Sequence, residues 1–174
     1  MTLRTGLLWE TDVAAALDTL QKTRQIDAFR KTAAEAVHTG GRPRFKAAGP
    51  ADYRVKRGGA VIMLEAKVCS MPRLQWARVE PSQVESLESA HFGALLCLFT
   101  SGADSGRGLD ATLPDCAVAI DWADVRDEWR RWKDKGGRPA SLTLARARSI
   151  GVVEGTGYGC PVSLFSGLFS RWGI

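Results

Sequence analysis

Hydrophobic residues recur at helical spacing in the first part of the chain, and again around its longest apolar runs. Near the N-terminus, spacings of three and four predict a helix over residues 7–22. Its apolar stripe comprises Trp9, Val13, Ala16, Leu17 and Leu20. A second helical segment is predicted over residues 26–37, where the pattern meets glycine and proline residues that break it.

Three runs of consecutive apolar residues indicate strands that are covered on both faces. The runs are residues 60–64, 94–99 and 116–120. We expect the first two to be neighbours in the centre of a sheet. Between them, Pro81 begins a predicted helix that ends near Gly93, because proline suits the first helical turn. After the third run, residues 122–132 predict an amphipathic helix that Gly136 and Gly137 end.

The composition is that of one globular unit. The chain has 174 residues, of which 45% are hydrophobic and 25% are charged, enough for a core of its own. We assign residues 1–150 to one domain. Residues 151–174 form a tail that is expected to pack on this core or at a dimer contact. The net charge of +5 favours polyanionic partners, although many basic proteins bind no nucleic acid.

The four cysteines predict neither a disulfide framework nor a zinc site. They form no CxxC pair and lack the histidine spacing of zinc ligands. They are Cys69, Cys97, Cys116 and Cys160. The N-terminus resembles no secretory signal, and no run approaches the roughly 20 apolar residues of a membrane span. These features predict reduced thiols in a cytosolic protein that has no membrane contact.

Basic residues are concentrated in a short segment whose only acidic residue is Asp52. They are Arg42, Arg44, Lys46, Arg54, Lys56 and Arg57. This concentration predicts a surface that faces phosphate groups, although a solvated loop would have the same composition.

Two charged residues follow directly on the first apolar strand. Glu65 and Lys67 are two positions apart, so they point to the same face of a strand. Charges in such an apolar setting are costly unless they pair with each other, a metal or a substrate. A plain ion pair at a strand exit is one interpretation. The other interpretation is a metal or substrate site. It is favoured because Asp52 is predicted to lie beside Glu65, through a hairpin that turns at residues 56–59.

Converging carboxylates are what a magnesium-dependent phosphodiesterase needs, since carboxylate oxygens are preferred magnesium ligands. Pro50, Asp52, Glu65 and Lys67 form a pattern that resembles the signature of the PD-(D/E)xK nuclease superfamily. The resemblance is closest to the RecU-type Holliday junction resolvases and covers roughly residues 6–141. It extends to Tyr53, Ala66, Gln83, the sequence Trp129-Arg130-Arg131-Trp132 and the sequence from Gly137 to Ser141. Ser82 stands where those proteins have a histidine.

The resemblance implies a restriction-endonuclease-like α/β fold, with a central mixed sheet flanked by helices. Asp52, Glu65 and the carbonyl of Ala66 would bind Mg²⁺, for which Mn²⁺ would substitute. Lys67 would orient the attacking water or neutralise charge on the phosphate. Gln83 would hydrogen-bond in the site. Glu10 would reach the metal through water, although a first-turn glutamate is equally compatible with an interaction with the helix dipole.

The resemblance also implies the partners of the protein. The substrate would be branched double-stranded DNA, a four-way junction above all, cut by a homodimer whose two-fold symmetry matches it. The six basic residues above, with Arg73 and Arg78, would contact phosphates. The setting would be the cytoplasm of a bacterium, or of the host if the protein is phage-encoded. Two alternatives stay open: a nuclease for linear or flapped DNA, and an inactive module that binds DNA structures.

Overall fold

The computed structural model describes residues 2–32, 36–39, 42–45, 50–69, 71–100, 116–136, 138–155 and 160–174. The helices among them are α1 (Thr2–Lys22), α2 (Pro81–Ser89), α3 (Arg126–Lys135), α4 (Leu144–Ile150) and α5 (Val162–Trp172). The strands are β1 (Ala28–Lys31), β2 (Ala36–Thr39), β3 (Arg42–Phe45), β4 (Tyr53–Arg57), β5 (Ala60–Cys69), β6 (Arg73–Gln75), β7 (Phe92–Phe99), β8 (Cys116–Asp121), β9 (Ser141–Thr143) and β10 (Val152–Gly155). Short 3₁₀ turns span Trp76–Arg78 and Trp122–Asp124.

Six of the described strands form one sheet, in the order β1-β4-β5-β7-β8-β10. The central strands β5 and β7 are parallel, whereas the other neighbours in this sheet are antiparallel. The strands β2 and β3 pair with each other, as do β6 and β9. The prediction of an α/β fold with a mixed central sheet flanked by helices is therefore confirmed, as are the neighbouring positions of the first two apolar runs.

Helices cover both faces of the sheet, which explains why its central strands are apolar at consecutive positions. On one face, which we call the α1 side, α1 and α5 pack on residues such as Leu64 and Leu96. On the opposite face, the α2 side, residues of α2, α3 and α4 pack on residues such as Leu95 and Val118. Because the two faces alternate along each strand, every second residue of β5 faces α2.

The C-terminal residues belong to this same packed unit. The strand β10 pairs with β8 and becomes one edge of the sheet. The helix α5 contributes apolar side chains to the core on the α1 side. These are Leu164, Phe165, Leu168 and Phe169. None of the described helices is both long enough and apolar enough to cross a membrane.

The predicted helix over residues 26–37 is wrong. The helix α1 is followed by Arg24 in the left-handed region at a φ of 58°, and the N–H of Gln25 bonds the carbonyl of Leu20. The Asp27 N–H then bonds the Lys56 carbonyl and begins the pairing of β1 with β4. Pairing with an open sheet edge overrides a short and weak helical pattern. Residues 36–39 form β2 instead of continuing a helix.

Candidate active site

The five residues predicted to be catalytic line a single cavity of about 290 Å³. They are Glu10, Asp52, Glu65, Lys67 and Gln83, and Trp9, Ala66, Val68 and Arg78 complete the lining. The cavity exists because β4 begins at Tyr53, opposite Leu64, while β5 runs on to Cys69. Beyond Leu64, this flank of β5 has no neighbouring strand among the described residues. Side chains from α1 and α2 can therefore both reach it.

Two reciprocal hydrogen bonds fix Asp52 beside β5. The N–H of Ala66 donates to Asp52 Oδ2 at 2.9 Å, and the N–H of Asp52 donates to Glu65 Oε2 at 3.2 Å. The first of these bonds replaces the ladder bond that a longer β4 would have made. The predicted convergence of Asp52 and Glu65 through the β4–β5 hairpin is thus present in the structure.

Glu65 is the centre of a buried polar network. Its side chain is 1% exposed, and its Oε1 lies 2.6 Å from both Lys67 Nζ and Gln83 Nε2. Gln83 Oε1 accepts from Lys67 Nζ at 3.1 Å and from the N–H of Glu80 at 3.0 Å. The Glu80 contact is half of the capping box that begins α2. The start of the helix and the position of Lys67 are therefore coupled through one amide group.

The pKa of both carboxyl groups is raised. Burial is the largest cause for Glu65, whose pKa is about 7, and the negative charge of Asp52 adds to it while Lys67 opposes it. Burial also raises the pKa of Asp52, and Glu10 adds to this, while the bond from the Ala66 N–H lowers it. A bound cation would lower both pKa values, because its positive charge would offset the cost of ionising two neighbouring carboxyl groups, as the Lys67 ammonium already does in part.

Glu10 reaches the cavity, but its own partner is a cation. Its Oε2 lies 2.5 Å from Nζ of Lys31 in β1, while its carbonyl accepts a 2.6 Å bond from the hydroxyl of Tyr53. Burial raises the pKa of that hydroxyl. Sequence reasoning missed Lys31 because residues 26–37 were assigned to a helix. The alternation of β1 against β4 would have placed it, since Lys31 pairs with Tyr53, the residue after Asp52.

The donor set suits a hard divalent cation that keeps part of its water shell. It consists of the carboxylates of Asp52 and Glu65, with the carbonyl of Ala66, whose N–H already faces Asp52. A strand residue directs its N–H and C=O to the same side, so this carbonyl points to the same flank of β5. Magnesium is commonly held by one or two carboxylates plus water and substrate oxygens. Within the described residues there is no group of three or more His, Cys, Asp or Glu side chains arranged around a common metal position.

The predicted DNA-binding residues fall into separate groups. Arg54 and Lys56 share one face of β4, whereas the Arg57 guanidinium lies on the α1 side, 4.3 Å from the centre of the Phe169 ring. Arg78 lines the cavity and donates to the carbonyl of Val68 at 2.6 Å, and Arg73 is exposed on β6. Arg42 and Arg44 are in β3, where only the backbone is described, and Lys46 lies outside the described residues.

Replacing Gln83 tests this network. In Gln83→Leu, the buried carboxyl of Glu65 and the N–H of Glu80 are each deprived of a hydrogen bond. We expect the free energy of unfolding to fall by about 1–3 kcal/mol, measured by urea denaturation at neutral pH. Gln21→Leu is the matched control on the exposed surface of α1. Equal stability of the two variants would show that the amide of Gln83 does not hold the network together.

Comparison with known proteins adds no family to this geometry: no protein-family model matches the chain, and no curated protein matches its sequence.

Proposed function

We propose that this protein is a magnesium-dependent nuclease of the PD-(D/E)xK type that hydrolyses phosphodiester bonds in DNA. The observation that supports this proposal best is the cavity beside β5. There Asp52 lies next to Glu65, and Lys67 forms an ion pair with Glu65. A structural ion pair needs neither the second carboxylate nor the cavity. Asp52, Glu65 and the carbonyl of Ala66 would hold Mg²⁺ or Mn²⁺.

Bound magnesium would polarise a phosphate oxygen and lower the pKa of a water molecule. The side chains of the protein would position the groups that act on the phosphate. Lys67 is only 12% exposed, so its ammonium group is directed by Glu65 and Gln83 rather than by solvent. It can approach a non-bridging oxygen and compensate the charge that develops on the phosphate. Glu10, paired with Lys31, borders the cavity and adds a negative charge near Asp52.

For the substrate we propose branched double-stranded DNA, in particular a four-way junction. The support is the resemblance that runs through Asp52-Tyr53, Glu65-Ala66-Lys67 and Gln83 in the sequence. All of these residues lie in or beside the one cavity. The proposed setting is the cytoplasm of a bacterium or of a phage-infected host.

A homodimer is part of this proposal, because a junction must be cut on two opposed strands and a two-fold dimer supplies two sites. We expect light scattering at micromolar protein concentration to give a mass near twice the 18.9 kDa of the chain. A monomer mass over that concentration range would contradict the dimer, and with it the paired cutting of a junction by one assembly.

The decisive experiment is incubation of an end-labelled four-way junction and its matched linear duplex with the protein, with and without Mg²⁺. Paired cuts in the junction alone, dependent on the metal, would support the resolvase. Comparable cutting of the duplex or of a flap would favour the general nuclease. Tight junction binding without any cutting would favour the inactive binding module and contradict the proposed activity.

A further inference from the structure

Because side chains alternate along β4, its basic residues lie on opposite faces of the sheet. Arg54 pairs with Arg30 of β1 on one side and with Met63 of β5 on the other, so these side chains share the α2 side. Lys56 is two positions further along β4 and shares that face. The cluster of Arg30, Arg54 and Lys56, which we call the β4 cationic row, therefore excludes Arg57.

The β4 cationic row lines two adjoining depressions. One, of about 280 Å³, is lined by Ala28, Phe29, Arg30, Arg54 and Lys56. The other, of about 340 Å³, lies between the row and the C-terminal end of α2, and Arg30 and Arg54 line it as well. Arg30 and Arg54 line both, so the depressions adjoin each other beside β1 and β4, and together we call them the groove.

The groove is suited to an anion. None of the described residues that line either depression is acidic, and the three cations form no ion pair with another described residue. The Nε of Arg54 is buried and has no hydrogen-bond partner within the described ranges. A buried donor without an acceptor costs about 1–3 kcal/mol, and a turn of the Arg54 side chain toward the groove would bring this donor within reach of an anionic oxygen.

The groove begins beside the candidate active site. Thr32 and Pro50 line its second depression, and the Thr32 N–H donates to the carbonyl of Asp52 at 2.8 Å. The Thr32 hydroxyl also donates to the carbonyl of Ala51. Asp52, Arg54 and Lys56 then follow at two-residue intervals of roughly 7 Å along one face. This spacing is comparable with that between neighbouring phosphates on one nucleic acid strand.

We infer that the β4 cationic row binds the phosphodiester backbone of the DNA strand that continues from the cleaved bond. The inference rests on the proposed function for the identity of the ligand and adds Arg30 to the residues that bind it. It also removes Arg57, whose guanidinium lies over Phe169 on the other side of the sheet. Contacts of this kind read the charge of the backbone and not the base sequence.

The test compares Arg30→Gln, Arg54→Gln and Lys56→Gln with Arg57→Gln, which removes the same charge from the same strand but from the opposite face. Binding of a fluorescein-labelled four-way junction is measured without Mg²⁺ over a range of salt concentrations, after thermal unfolding has confirmed that each variant is folded. Each row variant should raise Kd roughly tenfold at low salt and reduce the steepness of the salt dependence by about 0.9 for each phosphate that the variant no longer neutralises. Arg57→Gln should leave both unchanged.

Binding and Mg²⁺-dependent cleavage are scored separately. If the wild-type protein cleaves DNA while the row variants bind with unchanged Kd and salt dependence, the inference is overturned and the proposed function stands. If the row variants weaken binding but the wild-type protein never cleaves, binding of the phosphodiester backbone by the β4 cationic row stands, while the proposed function and the place of that backbone next to a cleaved bond are contradicted. An effect of Arg57→Gln equal to that of Arg54→Gln would also overturn the inference, because net charge alone would then explain it.

Discussion

The substitution Asp52→Asn is expected to reduce the rate of Mg²⁺-dependent DNA cleavage by roughly 10³-fold or more, because loss of a carboxylate ligand removes several kcal/mol of charge stabilisation. The fold should survive. An asparagine oxygen can still accept the 2.9 Å bond that the Ala66 N–H makes to Asp52. The measurement is single-turnover cleavage of an end-labelled junction at saturating protein, which separates the chemical step from binding.

Asp18→Asn is the matched control for this experiment. Asp18 pairs with Lys22 on the exposed surface of α1, so its replacement removes the same charge away from the cavity. Its cleavage rate should equal that of the wild-type protein. DNA binding by Asp52→Asn should be retained or strengthened, since a negative charge has been removed from a phosphate-binding site. Cleavage by Asp52→Asn at the wild-type rate would remove Asp52 from the chemistry and contradict the proposed metal site.

The central part of the fold could be predicted because its signals are strong. Consecutive apolar residues within β5, β7 and β8 leave few alternatives to strands buried on both faces. Pro81 and Gly136 mark helix ends for local steric reasons, and the structure has α2 beginning at the first and α3 ending before the second. These elements are determined by local sequence and burial together.

The edges of the sheet were less predictable. Residues 28–31 form a strand only because β4 offers unpaired backbone groups beside them, and their burial pattern is not that of a two-sided core strand. The strand β10 is similar, because it is four residues long and, among the described strands, pairs only with β8. The stability of such strands comes from tertiary pairing, which a single sequence does not display.

In the candidate site, too, the local features could be predicted and the contacts that depend on tertiary pairing could not. Asp52, Glu65 and Lys67 could be brought together from strand alternation and a short hairpin, both of which are local features. Glu10 came from a family resemblance, and its partner Lys31 was missed, because the contact joins α1 to an edge strand. The position of Arg57 could have been predicted locally, because alternation along β4 places it on the face opposite to Arg54 and Lys56. The concentration of charge in the segment concealed that separation.

The pH dependence of stability should reveal the burial of Glu65. Its pKa in the folded, metal-free protein is about 7, against an ordinary value of 4.5, so the folded state binds this proton more tightly than the unfolded state does. The resulting stabilisation is complete below pH 4.5 and disappears as the pH rises to about 7. Relative to Glu65→Gln, the wild-type free energy of unfolding should therefore fall by about 3 kcal/mol across this window, measured by urea denaturation in EDTA.

Magnesium should reverse this decrease in stability, because the cation binds the ionised carboxylates and stabilises only the folded state. The rise in Tm caused by Mg²⁺ should grow as the pH approaches and passes 7 in the wild-type protein, and should be much smaller in Glu65→Gln. A calcium titration would test the same donor set. Parallel stability curves for the two proteins in EDTA would show that Glu65 is not a buried acid. If Mg²⁺ changes the Tm of neither the wild-type protein nor Glu65→Gln, the acids do not bind the metal. Their role would then be structural, with the Glu65–Lys67 ion pair balancing the buried charge.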